Sequence, residues 1–300
     1  MAFAAACGGY HALLIELEGY SNLGRSLGVG ELGYDPVEVD LDLFDEDAAD
    51  RVSTSRPAGR SSRGRLEVMQ LRPDEALADY LNHTGLGPLI RRFSRSDAVE
   101  VVSAAAPGIR DLVTLGKVRQ LEQAEVADVI IVDAPASGHA ISFLTSAAGM
   151  AGSTRSGPIK EQADQVLAML ADESRSQVIL VTLPEETPVT ETVETAFALE
   201  DEVGVNLGPV VVNGEWSEVS GLAEAIGARE SAHDYDDPSA EAAVEAARYR
   251  LSKIKHQQDQ IARLDHELPL PQIHLPHLFV TSIGTGEIAT LAAAFMEEPA

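Results

Sequence analysis

The sequence predicts an α/β fold with a mostly parallel sheet flanked by helices. Short runs of aliphatic and β-branched residues recur along the chain without polar alternation, as in strands buried on both faces. Longer stretches between these runs carry apolar residues at helical spacing, and strands that alternate with helices indicate βαβ units. With 300 residues, 45% of them hydrophobic, the chain can bury one large core or two smaller ones.

The apolar runs and helical patterns place the elements. The predicted strands are, in chain order, Ala12–Leu17, Val68–Leu71, Val129–Val132, Val178–Thr182, Val210–Val212 and Gln272–Leu275. The clearest predicted helices are Ile159–Leu170, Thr190–Val203 and Ala242–Leu264. The Pro-Leu-Pro run at 269–271 ends the last of these helices.

Two stretches depart from the βαβ pattern. Residues 35–65 are acidic at first and then rich in Ser, Arg and Gly, which predicts a long, mobile surface loop. Residues 73–126 are helical in pattern with a break at Pro107-Gly108, which predicts a helical insert. We interpret residues 1–300 as a single domain that carries both features.

Composition excludes several classes of function. Lys and Arg number 22 against 48 Asp and Glu, a net charge of −26, which argues against a nucleic-acid partner because phosphate binding needs clustered cations. The single cysteine, Cys7, cannot form an intrachain disulfide or a Cys-rich zinc site. No apolar run reaches the roughly 18 residues of a membrane span, and the first residues lack the pattern of a secretory signal. These features predict a cytoplasmic protein.

The most specific motif is a strand that ends in a carboxylate. From residue 128 the chain reads Asp-Val-Ile-Ile-Val-Asp-Ala-Pro-Ala-Ser-Gly-His, so Asp133 closes an apolar strand and small residues follow. Open α/β sheets bind ligands at the carboxyl ends of their strands. In a nucleotide hydrolase Asp133 would hold Mg²⁺ through water, and the loop after it would sense the γ-phosphate. An Asp that merely caps the next helix is an equal alternative for this motif alone.

Three further strands end in polar residues. The strand Leu13–Leu17 runs into Glu18, which can position or deprotonate an attacking water, although capping and surface roles are commoner for Glu. The strand from Val178 runs into Pro184-Glu185, where the proline and acids are also ordinary helix-start chemistry. Asn213-Gly214 follows Val210–Val212, and its side-chain amide can match an adenine edge, with a plain Asn-Gly turn as the alternative.

Taken in order, these motifs resemble those of the ArsA-type ATPases, which drive arsenical pumps or target tail-anchored membrane proteins. Five stretches carry the resemblance: Glu18–Leu23 at the place of D-P-A-H-(S/N)-L, Pro107–Asp111 for P-G-I-D-E, Asp133–Ala140 matching D-T-A-P-T-G-H-T without gaps, Pro184–Thr192 for (P/S)-E-F-L-S-L-Y-E-T, and Val212-Asn213 for V-N. The resemblance extends from Met1 to about Phe295. It is greatest to a bacterial branch that resembles anion-transporting ATPases and often occurs as paired subunits.

The resemblance implies a sheet of the P-loop NTPase type and ATP with Mg²⁺ as cofactors. It assigns Asp133 to the metal and places Gly138 and His139 in the second switch. Glu185 and Asn213 stand where the family contacts the nucleotide. Glu18 stands at the place of the catalytic Asp of the family, with a longer side chain.

The defining phosphate-binding loop of the family, K-G-G-x-G-K-(S/T)-T, does not occur in residues 1–300. Met1–Cys7 resembles the back half of the helix that follows this loop. In the family fold the first strand lies inside the sheet, and its loss should cost more than the roughly 5–15 kcal/mol that stabilises a domain. We therefore expect a misassigned late start, with in-frame codons before Met1 that encode the first strand and the loop.

The resemblance also bears on partners. It implies a homodimer, or a heterodimer with a homologous ATPase subunit. It also implies that the helical insert of this chain contacts a client or membrane-associated protein. With one cysteine and five methionines, the chain lacks the zinc pair, the arsenite thiols and the Met-rich groove of the family.

The sequence is compatible with three functions. The first is an ATP-hydrolysing switch protein, and the second is a non-catalytic partner subunit that scaffolds or regulates an active homologue. The third is a sheet protein that binds another anion at Gly138 and His139.

Overall fold

A computed structural model of the chain describes residues 1–17, 23–44, 63–83, 108–232 and 238–297. Strands and helices alternate along these residues, which confirms the α/β prediction. In chain order the elements are α1 (Ala2–Cys7), β1 (His11–Leu17), α2 (Leu23–Ser26), β2 (Val37–Glu38), a 3₁₀ turn (Leu41–Leu43), β3 (Arg65–Leu71), α3 (Pro73–His83), α4 (Ile109–Gln123), β4 (Val129–Asp133), α5 (Ser137–Ser153), α6 (Pro158–Leu170), β5 (Val181–Thr182), α7 (Glu186–Glu202), β6 (Val210–Glu215), α8 (Leu222–Ala232), α9 (Pro238–Glu267), β7 (Gln272–Pro276) and α10 (Thr285–Glu297).

The chain divides into two compact units. The first unit contains Met1–Val178, Thr195–Leu207 and Val280–Glu297, and the second contains Ile179–Glu194 and Gly208–Phe279. The division falls inside helix α7, so the amino-terminal half of that helix belongs to the second unit and the remainder to the first.

The first unit is built on a four-stranded mixed sheet with the order β2-β3-β1-β4. Strand β1 pairs in parallel with β3 on one side and with β4 on the other. Strand β2 is antiparallel to β3 and lies within the stretch 35–65, of which residues 45–62 are outside the described part. Parallel neighbours bring the carboxyl ends of β1, β3 and β4 to one edge of the sheet.

Both faces of this sheet are covered, as the unalternating apolar runs predict. On one face, Ala12 and Leu66 belong to a buried cluster with α1 and α10, in which Phe3 stacks on Phe44 at 4.1 Å and Cys7 is 1% exposed. On the other face, Leu13, Ile15, Met69 and Leu71 pack with residues of α3 and α4. Complete burial of one such side chain contributes about 1.5–3 kcal/mol.

The helical stretch 73–126 contains α3 and α4, with residues 84–107 outside the described part. Gly108 precedes α4 with φ of 85°, a left-handed conformation that glycine adopts without steric cost. The predicted break at Pro107-Gly108 thus coincides with the start of a helix at Ile109. Near the end of α4, the Arg175 guanidinium donates two hydrogen bonds to Glu122, at 2.9 and 2.8 Å.

The second unit is built on a three-stranded parallel sheet with the order β5-β6-β7. The predicted strand Val178–Thr182 is too long, since β5 covers only Val181–Thr182. Val178 lies before this strand and forms an isolated bridge with Leu207 in the first unit. Helix α9 runs 30 residues and buries Ile254 and Leu264.

Strand β4 lies at an edge of the first sheet, and among the described residues it pairs with β1 alone. Its residues are more exposed than those of β1: Val129 is 37% exposed, and the three apolar residues after it are partly exposed. A hydrophobic edge of this kind is a natural template for a further strand. No described helix is long and apolar enough to cross a membrane.

Candidate functional site

A row of polar side chains crosses the carboxyl edge of the first sheet. The strand register places Glu16 of β1 opposite Gln70 of β3 on one side and Asp133 of β4 on the other. Side chains of register partners point to the same face of a sheet, so the three form one row. Glu16 is 4% exposed, and its carboxylate accepts a hydrogen bond of 3.1 Å from the Gln70 amide.

The row continues to solvent through arginine. The amide oxygen of Gln70 accepts a hydrogen bond of 2.8 Å from Nε of the exposed Arg72. The backbone N–H of Gln70 donates to the carbonyl of Gly33, so a loop of the same unit closes over this end of β3. A buried carboxylate is stable only when hydrogen bonds satisfy it, and Gln70 supplies one of them.

Asp133 ends β4 with its side chain exposed, at the position that the sequence predicts. Desolvation by the surrounding protein nevertheless raises the pKa of this carboxyl group above its ordinary value of 3.8. A cation beside Asp133 would favour the charged form and offset that desolvation. Among the described residues no three His, Cys, Asp or Glu side chains cluster closely enough to hold a metal by themselves. A single carboxylate can serve as one ligand of Mg²⁺, because Mg²⁺ readily takes water and phosphate oxygens as its other ligands.

The first turn of α5 follows Asp133 after three small residues. The N-cap residue, Ala136, makes no side-chain cap, and the first turn contains no acidic residue. Gly138 and His139 lie in this turn and are exposed. Among the described residues, none outside this turn of the helix has an atom within 4 Å of where a Cβ on Gly138 would be. Backbone N–H groups at an uncapped helix start favour an anion.

In the second unit, Glu185 follows the carboxyl end of β5. Its backbone N–H donates to the Leu183 carbonyl, and its carboxylate pairs with Nζ of Lys253 on α9 at 2.7 Å. Both side chains are partly exposed, so the pair contributes little to stability. Its effect is to fix Glu185 against α9.

Asn213 lies near the carboxyl end of β6, half-buried and opposite Leu275 of β7. The register of the two strands shifts between Asn213 and Glu215, and Gly214 has φ of 79°. This irregularity is a β-bulge, and glycine is favoured there because few side chains tolerate a positive φ. The alternative interpretation of Asn213-Gly214 as a plain turn is thus wrong, because the two residues form a bulge inside a strand.

An aromatic cluster lies directly after this bulge. Trp216 makes edge contacts with His277 and Phe279, which follow β7, at centroid distances of 5.8 and 5.1 Å. The Arg250 guanidinium lies over the rings of Trp216 and Phe279 at 5.4 and 5.2 Å. These residues occupy the same sheet edge as Asn213.

The structure therefore arranges the predicted site residues in two groups. Asp133, Gly138 and His139 adjoin one another in the first unit, and in the second Glu185 follows β5 while Asn213 lies near the carboxyl end of the neighbouring parallel strand β6. Glu18 lies outside the described residues, directly after β1.

Sequence reasoning missed Glu16, Gln70, Lys253 and Gln257. The signals available were a Glu inside the apolar run of β1 and a Gln at 257, at helical spacing between Ile254 and Ile261. Gln257 lies on the apolar face of its helix, and the structure buries it.

Comparison with known proteins gives relatives named as ATPases. The chain is 28% identical over 220 residues to ATPase BagA of Mycobacterium tuberculosis strain H37Rv, an alignment that covers 71% of this chain and 59% of that protein. A Mycobacterium bovis protein also named as an ATPase aligns equally well. A Halobacterium salinarum protein whose name assigns it to arsenical pump-driving ATPases is 22% identical over 213 residues, with 63% of this chain and 32% of that protein covered.

No protein-family model matches the chain. These similarities support a resemblance to ATPases, one of which is named for the arsenical pump. The chain spans 59% of the length of its mycobacterial relatives.

Proposed function

We propose that this chain is the larger part of an ATP-binding, ATP-hydrolysing switch protein that uses Mg²⁺. The observation that carries the proposal is the edge of the first sheet, where Asp133 ends β4 and the open first turn of α5 follows. A carboxylate for a cation beside backbone donors for an anion suits a Mg²⁺-bound phosphate. The ATPase relatives favour a nucleotide over other anions.

Each residue then has a role that follows from its place. Asp133 would hold Mg²⁺ through water, and the bound cation would offset negative charge on the phosphates. Gly138 and His139 would contact the terminal phosphate from the first turn of α5. Glu18 would orient or deprotonate the attacking water, since it follows β1 next to the strand of Asp133.

In the second unit, two residues would contact the nucleotide, as the resemblance implies. The Asn213 amide offers a donor and an acceptor to the base, and Asn213 is the last residue of β6 in regular register with β7 before the bulge. Glu185, fixed by Lys253, would contact the nucleotide from the neighbouring strand end. In this proposal the protein works in the cytoplasm as a dimer with a second ATPase subunit, and nucleotide state changes its contacts with a client or membrane-associated protein.

The proposal includes a phosphate-binding loop and a strand that precede Met1. Residues 1–300 contain no Lys-Gly-Gly-x-Gly-Lys run. The partly exposed apolar residues of β4 at the sheet edge are what a further parallel strand would cover. Mass spectrometry of the N-terminal peptide of the native protein tests this part, and a native N-terminus at Met1 would contradict it.

The activity test compares the aspartate that ends β4 with the aspartate directly before β4. We expect Asp133→Asn to lower Mg²⁺-dependent ATP hydrolysis by the native protein at least about 100-fold. Asp128→Asn is the matched control, because Asp128 lies before β4 and accepts a hydrogen bond from the backbone N–H of His11. Equal rates for wild type and Asp133→Asn would show that Asp133 has no part in the chemistry.

A non-catalytic partner subunit is the second candidate, favoured by the lack of a phosphate-binding loop within these residues. It predicts that the native protein binds a homologous ATPase and changes the activity of that ATPase without hydrolysing ATP itself. Hydrolysis that responds to Glu18→Gln and to Asp133→Asn would exclude it.

A further inference from the structure

Helix α9 contains a buried polar residue, Gln257, that is 3% exposed. Its side-chain oxygen accepts a hydrogen bond of 2.9 Å from the backbone N–H of Trp216. Its side-chain nitrogen donates a hydrogen bond of 3.2 Å to the carbonyl of Gly214. One amide of α9 thus bonds to the backbone on both sides of Glu215.

These two hydrogen bonds lie at the point where the hydrogen-bond ladder between β6 and β7 is interrupted. At the bulge between Asn213 and Glu215 the ladder to β7 is interrupted, and buried backbone groups there need other partners. Gln257 supplies one acceptor and one donor, and the ladder resumes when His277 donates to the carbonyl of Glu215 at 2.8 Å. The conformation of the bulge therefore depends on a side chain 43 residues away in the sequence.

Helix α9 fixes the same loop a second time, two turns earlier. Arg250 donates to the carbonyl of Ser217 at 3.0 Å, and its guanidinium covers the ring of Trp216. Gln257 holds the backbone of Trp216, and Arg250 holds the ring. The segment from Gly214 to Ser217 is thus tied to one face of α9.

We propose that Gln257 is a positioning residue that sets the base selectivity of the nucleotide site by fixing the bulge that carries Asn213. This inference rests on the proposed function, in which Asn213 contacts the base. A side-chain amide separates one base from another only if its donor and acceptor are held in place, because a misplaced amide pairs with either base equally poorly. Gln257 does not touch the nucleotide and acts through the backbone of residues 214–216.

The first test needs no nucleotide. Trp216 is the only tryptophan of the chain, so its fluorescence reports on this loop alone. We expect Gln257→Met, which keeps the length and removes both hydrogen bonds, to shift Trp216 emission to the red and to increase its quenching by acrylamide. Gln258→Met is the matched control, because Gln258 is exposed on the same helix and bonds the exposed Glu218 at 2.7 Å. Identical emission and quenching in wild type and Gln257→Met would overturn the inference.

The second test measures the dissociation constants of Mg·ATP and Mg·GTP for the native full-length protein. We expect wild type and Gln258→Met to prefer ATP equally, and Gln257→Met to reduce that preference about 10-fold. Gln257→Glu keeps the acceptor for the Trp216 N–H and should give an intermediate ratio. A purely structural role would lower thermal stability and leave the ratio unchanged, which would overturn the inference while the proposed function stands. Failure of the wild type to bind either nucleotide would overturn both.

Discussion

The buried row at the edge of the first sheet gives a quantitative prediction for Gln70→Met. Methionine keeps the length and apolar bulk of the side chain but cannot donate to the Glu16 carboxylate. The lost bond is a hydrogen bond to a charged group in a place that water does not reach, because Glu16 is 4% exposed. Such bonds contribute about 1.5–3 kcal/mol.

The second bond of Gln70 adds little to this figure. Arg72, which donates to the Gln70 oxygen, is exposed, and water can replace that bond. We therefore expect the free energy of unfolding to fall by about 1.5–3 kcal/mol. For a unit of this size each kcal/mol corresponds to roughly 2–4 °C, so the melting temperature of the first unit should fall by roughly 3–12 °C.

The control is the same substitution at a partly buried glutamine of the second unit. Both polar side-chain atoms of Gln272, at the start of β7, are buried, and neither has a hydrogen-bond partner in the described structure. Gln272→Met removes an unsatisfied amide, so it should be neutral or stabilise the second unit by up to about 1 kcal/mol.

Thermal unfolding followed by circular dichroism, with hydrogen exchange of peptides from β1 and β7, separates the two units. Equal losses of stability in Gln70→Met and Gln272→Met would refute the reasoning. So would an unchanged melting temperature in Gln70→Met, since the Glu16 carboxylate would then not depend on its amide partner.

Three further predictions concern pH and packing. Because folding raises the pKa of Asp133, the folded state holds this proton more tightly than the unfolded state. The free energy of unfolding of the wild type, relative to that of Asp133→Asn, should therefore fall as pH rises through about 4 and beyond. Denaturation of both proteins from about pH 3.5 to 6.5 measures this difference, and a constant difference would contradict the prediction. The hydrogen bonds from Arg175 lower the pKa of Glu122 below its ordinary value of 4.5. A double-mutant cycle of the two residues should therefore give a coupling free energy of about 0.5–1 kcal/mol at pH 7, which disappears as pH falls below 4.5. Coupling that persists in acid would exclude the ion pair as its source. Gly64→Ala would place a Cβ 1.9 Å from the backbone oxygen of Tyr10, so it should destabilise by about 1–3 kcal/mol in thermal unfolding, and a neutral result would mean that the backbone yields there.

Local patterns predicted the larger strands and helices well. The runs at Ala12–Leu17 and Val129–Val132 match β1 and β4 within one residue at either end, because strands of a parallel sheet covered by helices read as continuous apolar runs. Strand β2 escaped prediction, since its two residues are ordered by pairing with β3 rather than by their own character. The extent of β5 was missed for the same reason: strand pairing is set by partners that are distant in sequence, such as Leu207 for Val178.

The candidate site shows the same limit. Asp133 and Asn213 were predicted because polar residues that end apolar strands collect at one sheet edge. The residues that hold such groups depend on register and on helix packing. Glu16 belongs to the site because β3 places Gln70 opposite it. Gln257 belongs to it because α9 packs beside the bulge of β6, where Gln257 bonds the backbone. No spacing rule in one sequence contains those contacts.

The burial of Cys7 has a practical consequence for spectroscopy. Thiol reagents attack the thiolate, and a side chain that is 1% exposed in an apolar cluster offers them little access in the native state. Cys7 of the wild-type chain should therefore react little with maleimide dyes and nitroxide spin labels, so background labelling should be low. One cysteine introduced into the exposed first turn of α5 and another on the exposed surface of the same unit would give a clean pair for distance measurements. Such a pair would test whether a nucleotide moves that turn, as the proposed switch function requires, without any need to replace the native sulfur.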